Sequence, residues 1–211
     1  ITIIIFVIYL ILSGIKYKRI KWPGEQQANT PQVDSLNDKA LRLSDRQDFI
    51  AAEKLIDSAM YLADAISYKK GTADALFATG KIQYIKGNYE TALESAINSL
   101  NVHAGSEDQA TIARGRNLLG LIHLAQGEVK VALEELNHAL NINQKLNDSV
   151  KLTANYFNIG LCYSEQGLYT EAEEAYRTAG FLAQRTNQKN IEIMSLNRLG
   201  ERYFKMGQVH E

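Results

Sequence analysis

Residues Ala154–Gln184 read ANYFNIGLCYSEQGLYTEAEEAYRTAGFLAQ. Tyr156, Ile159, Gly160 and Tyr163 recur at helical spacing, and Gly167 then closes that helix, since glycine adopts the left-handed conformation without steric cost. Tyr169, Ala172, Tyr176 and Ala179 restart the period on a second helix. A hairpin this small cannot bury its apolar face alone, so it needs neighbours of the same kind.

The chain supplies them at intervals of 40 residues. Gly160 is matched by Gly80, Gly120 and Gly200, with Ala40 in the first copy. Gly167 is matched by Gly87, Gly127 and Gly207, with Gln47 first. Ala172 is matched by Ala52, Ala92 and Ala132. Tyr169 is matched by Phe49, Tyr89, Val129 and Val209, and Leu182 by Leu62, Val102 and Ile142. Columns that keep one register without a gap predict an array of helical hairpins.

The order Gly160, Tyr163, Gly167, Tyr169, Ala172 resembles the tetratricopeptide repeat (TPR), as does KIQYIKGNYETALESA from Lys81 to Ala96. The resemblance covers roughly residues 33–209. That family's usual period is shorter, ~34 residues; the added residues here are read as lengthening each helix by less than a turn. HEAT and armadillo arrays share the longer period but do not predict these glycine columns. The expected fold is all-α: an α-solenoid of about five TPR hairpins in a right-handed superhelix, preceded by an N-terminal hydrophobic helix. The expected repeats are 33–70, 71–107, 108–147, 148–188 and an incomplete 189–211, with Gly207 and Val209 opening a further second helix.

Composition sets limits on function. The 211 residues are 45% hydrophobic and 22% charged, as in an ordinary folded region. Four of the 23 Lys and Arg residues fall in residues 1–21, leaving 19 against 24 acidic residues beyond them, which is no electrostatic footprint for nucleic acid. The single cysteine, Cys162, excludes an intrachain disulfide framework.

Residues 1–22 form a hydrophobic anchor or signal segment with a basic flank. ITIIIFVIYLILSGI at Ile1–Ile15 reaches about 22 Å as a helix, short of the ~30 Å hydrocarbon core, so it spans a membrane only with further residues upstream. Tyr17 and Trp22 stand among Lys16, Lys18, Arg19 and Lys21, where interfacial aromatics and basic residues belong. A retained anchor, a cleaved signal and a soluble segment are the alternatives. The charge lies after the apolar run and no small-residue cleavage site follows, which favours the anchor. The basic cluster favours a cytoplasmic face; a periplasmic or secreted location is the alternative. Residues 23–32, PGEQQANTPQ, hold both prolines and read as a linker. Ser106–Asp108 and Asp148–Ser149 offer caps for helix N-termini.

No catalytic constellation is present: no H-E-x-x-H, phosphate-binding G-x-x-x-x-G-K or C-x-x-C. His103, His123, His138 and His210 lack ligand spacing, so no metal or cofactor is expected. Glu134–Glu135 and Glu173–Glu174 read as solvated helix surface, and Cys162 as a packed thiol without an activating histidine.

In the TPR family the first helices line a groove that takes a peptide or a partner's helix. On that resemblance, the positions three before each helix glycine face the groove: Asn37, Phe77, Asn117, Phe157 and Asn197. Asn offers donor and acceptor to a peptide backbone, and Phe an apolar shelf, unless it packs between first helices. Lys81, Leu121, Leu161, Glu201, Tyr84, Arg114 and Asn158 extend the face. A carboxylate clamp of the chaperone-adaptor kind is disfavoured: Asn158 and Arg198 match it, but Asn117 and Met194 stand where lysines are needed, and Leu121 where Asn is. The expectation is a non-enzymatic, membrane-tethered module that binds a peptide or protein. The alternatives are the sensory arm of a bacterial signalling protein, with a histidine kinase, cyclase or transcriptional-regulator output beyond Glu211, and a self-associating scaffold.

Overall fold

A computed structural model describes residues 29–103 and 108–209. The expectations for residues 1–28 lie outside them, and no described helix is long and apolar enough to cross a membrane. Nine helices and no strand occur among the described residues: α1 Thr30–Asp45, α2 Phe49–Ala65, α3 Lys69–Ile85, α4 Tyr89–Val102, α5 Gln109–Ala125, α6 Val129–Lys145, α7 Ser149–Glu165, α8 Tyr169–Arg185 and α9 Lys189–Val209.

The links explain the helix lengths. At the end of α3 the Gly87 N–H donates to the Tyr84 carbonyl and the Asn88 N–H to Gln83, the paired bonds of a Schellman closure. The same pair recurs at Gly127 and Gly167, each with φ near +80° (81° and 74°). It recurs also where glycine is missing: Gln47, Ser67, Asn147 and Asn187 hold φ of 62°, 54°, 52° and 57°. The described links from second to first helices, at Ser67, Asn147 and Asn187, are therefore as tight as those within hairpins, and α3 starts at Lys69, inside the span expected for the first repeat. Helix α1 begins at Thr30 rather than Val33, because the Asn29 side chain caps the Gln32 N–H and Pro31 suits a first turn. Asp108 and Asp148 cap α5 and α7 as expected.

One expected turn is absent. Helix α9 runs through Gly207 to Val209. Among the described residues α9 meets only α7 and α8.

Each helix packs on its neighbours in the chain. First helices also touch the next first helix (α1 on α3, α3 on α5, α5 on α7, α7 on α9), whereas no second helix reaches another second helix among the described residues. A stack with one layer close and the other splayed curves toward the close layer, so the first helices form the inner wall. The interior is rich in alanine, with Ala40, Ala52, Ala78, Ala92, Ala132 and Ala179 fully buried around Ile82, Ile122 and Leu136. Small side chains bring helices close but leave each hairpin little to bury alone. The glycine column follows the same logic. A Cβ at Gly80 would meet the Ala92 carbonyl at 3.2 Å, at Gly120 Leu136 Cγ at 2.6 Å, and at Gly160 the Tyr176 ring at 2.7 Å.

Candidate functional site

The inner wall carries two polar clusters. The first spans α1, α3 and α5. Asp34, Asp74 and Arg114 occupy one column on successive first helices, and Lys70 stands between the two carboxylates. Lys70 Nζ donates to Asp74 Oδ2 at 2.8 Å and lies 3.6 Å from Asp34 Oδ1. The Arg114 guanidinium bonds the other oxygen of Asp74 and stacks over Phe77, 4.2 Å from the ring centre. Tyr68 Oη donates to Asp34 at 3.0 Å. Burial pulls the Lys70 ammonium down, but its bond to Asp74 and the charges of Asp74 and Asp34 outweigh that, and its pKa ends above the ordinary lysine value. Asn37, 2% exposed, donates Nδ2 to the Gly71 carbonyl at 2.9 Å and so ties α1 to α3.

The second cluster is a chain of amides. Asn143 Nδ2 on α6 donates to Asn155 Oδ1 at 2.6 Å. Asn155 and Asn158 on α7 both donate to Asn117 Oδ1 on α5, at 3.1 and 3.0 Å. The amide of Asn117 is thereby oriented, with its acceptor held inward.

The remaining predicted groove residues are distributed along the same wall. Phe77 and Phe157 are buried, Phe77 beneath Arg114 and Phe157 against Tyr176 at 5.6 Å between ring centres. Lys81 pairs with Asp45 at 2.5 Å, and Tyr84 packs against Tyr89. Leu121 and Leu161 are half-buried. Asn197 and Glu201 are exposed on α9, Glu201 holding Arg198 at 3.1 Å. The structure thus brings Asn37, Phe77 and Arg114 into one cluster and Asn117 and Asn158 into another, with Asn197 apart from both. Asp34, Asp38, Lys70, Asp74 and Asn155 belong to the wall but were not singled out from the sequence. Comparing Asp34, Asp74 and Arg114 in the 40-residue register would have found the first cluster.

Several titratable residues elsewhere have structural partners. Glu135 holds Arg116 at 2.8 Å, and Glu173 holds Arg177 at 2.9 Å. His123 Nδ1 lies 2.6 Å from Glu128. Burial, with the charge of Glu165, pushes the Cys162 thiol up to about 11, so it is protonated and inert at neutral pH. No group of three or more potential metal ligands occurs among the described residues.

Residues 108–179 match the tetratricopeptide repeat family. That TPR segment covers α5, α6, α7 and most of α8, and so contains the whole amide chain. No curated protein sequence matches the chain. Several solved structures share its fold. A Rap protein complexed with Competence and Sporulation Factor is 19% identical with a TM-score of 0.74, over 86% of this chain and 51% of that one. Aspartyl phosphate phosphatase F from Bacillus subtilis is 14% identical with a TM-score of 0.71, over 85% and 47%. The TPR-like repeats of a putative kinesin light chain from Podosopora anserina are 17% identical with a TM-score of 0.63, over 87% and 90%. The chain spans about half the length of the first two. At these identities the likeness is one of fold.

Proposed function

We propose that the chain is a non-catalytic protein-interaction module, a right-handed array of TPR hairpins that takes a peptide or a partner's helix along its first-helix wall. The amide chain centred on Asn117 carries this reading. An apolar wall would stabilise the stack as well; on half-buried Asn117 the oxygen is held by Asn155 and Asn158, which leaves an oriented amide NH2 on the first-helix layer as a donor to a peptide backbone. The Rap structure with a bound factor is of the same fold. Residues 1–22 would tether the array to a membrane.

The test is selection of 12-residue peptides from a random display library, followed by hydrogen exchange of the complex. Protection gained on α3, α5 and α7 supports the reading. Failure to select any binder, or protection confined to second helices, sinks it.

A further inference from the structure

We propose that the array responds to ionic strength in a graded way: the joints between its first three hairpins loosen as salt rises, while the joint between the third and fourth does not. Hairpin one is α1 with α2, hairpin two α3 with α4, hairpin three α5 with α6, and hairpin four α7 with α8. The inference does not depend on whether the inner wall takes a ligand. It rests on how the polar ties between hairpins are distributed. Joint one holds three ion pairs: Lys70 Nζ lies 3.6 Å from Asp34, Lys81 Nζ 2.5 Å from Asp45, and Lys86 Nζ 2.5 Å from Glu53. Joint two holds Arg114 on Asp74. Joint three holds no ion pair among the described residues; its ties are the neutral amides of Asn143, Asn155, Asn158 and Asn117.

The repeat register shows that this gradient is written into the sequence. The places of Lys81 and Asp45 are taken by Leu121 and Ile85 at joint two, and by Leu161 and Ala125 at joint three. Those of Lys86 and Glu53 are taken by Gln126 and Leu93, then by Gln166 and Leu133. At joint three Ala154 stands where joint two has Arg114. Dissolved ions reach the pairs of joint one, because the side chains of Asp34, Asp45 and Glu53 keep 41%, 62% and 42% of their surface exposed. Exposed charges act over about 30 Å in about 0.01 M salt but over only about 3 Å in about 1 M, and bonds between neutral amides carry no such dependence. Screening does not dissolve joint one. Ala40, Ala52 and Ile56 still pack on Ala75, Ala78 and Ile82, and Asn37 still donates to the Gly71 carbonyl. The ion pairs therefore govern how often the joint opens, not whether it forms.

The test is hydrogen exchange of the full chain in about 0.01 M and about 1 M sodium chloride, with α7 as the reference inside the same molecule. Sulfate is avoided because it strengthens apolar burial by itself. Raising the salt should speed exchange on α1 and α3 by about three- to tenfold relative to α7. The double variant Asp45→Asn, Glu53→Gln removes two of the three pairs of joint one at solvent-exposed positions, so it should fold as the natural chain does. Its salt response on α1 and α3 should fall to about half or less of the natural one. An equal response on α7, no response on α1 and α3, or a response that survives intact in the double variant overturns the proposal.

Discussion

Asp74 is the residue on which the inner wall depends most in repeats one to three. Its side chain, 10% exposed, neutralises Lys70 and Arg114 together. Asp74→Ala strands a guanidinium over Phe77 and should lower stability by about 1–3 kcal/mol, less than for a fully buried pair because both cations reach solvent; chemical denaturation measures it. Asp108 has a different dependence. Burial alone would raise its carboxyl, but bonds from the Thr111 hydroxyl and N–H, with the charges of His103 and Lys70, bring it below the ordinary range. A carboxylate lowered on folding contributes stability above its unfolded pKa and loses it as pH falls through the folded one. Asp108→Ala should therefore cost about 1 kcal/mol at neutral pH, and the gap in melting temperature should close below roughly pH 4. Such roles are hard to see in a sequence. Arg114 reads as a polar residue of the groove face, but its partner Asp74 lies a whole repeat away, so the pairing shows only when residues 34, 74 and 114 are set in the 40-residue register.

At the scale of the helix and its turn, positive φ recurs at Gln47, Ser67, Gly87, Gly127, Asn147, Gly167 and Asn187. A non-glycine residue there is strained by about 1–2 kcal/mol, partly offset in the glycine variant by greater chain entropy. Ser67→Gly and Gln47→Gly should each stabilise by about 0.5–1 kcal/mol, and Gly87→Ala should destabilise by a similar amount, measured as shifts in denaturation midpoint. Within helices, Gly120→Ala drives a methyl into Leu136 and the Ala132 carbonyl and should lose about 1–3 kcal/mol. Three turns within hairpins are legible because Gly87, Gly127 and Gly167 mark them, and Gln47 takes that place in the first. The turns between hairpins use Ser67, Asn147 and Asn187, which share one 40-residue column but are residue types that also occur inside helices, so they mark a turn less sharply than glycine.

Across the whole molecule, register was the most legible property, since stacking demands the same small residues at the same place in every hairpin. The clusters along the wall were not, because they arise between repeats and differ from one to the next. Stability in such a stack is the sum of each hairpin and its two interfaces, so a destabilising change in one hairpin should weaken its neighbours most. In Gly120→Ala, hydrogen exchange should speed most on α5 to α7 and least on α1. An equal change along the chain would contradict nearest-neighbour stacking.

The splayed outer layer has a mechanical corollary. With second helices free of one another and first helices in contact, the array can flex like a spring, its coils parting on the outside while the inner side acts as the hinge line. A strand laid along that hinge line would fix the pitch, so occupancy could be read as a change in end-to-end length and stiffness even where no single hairpin alters its shape.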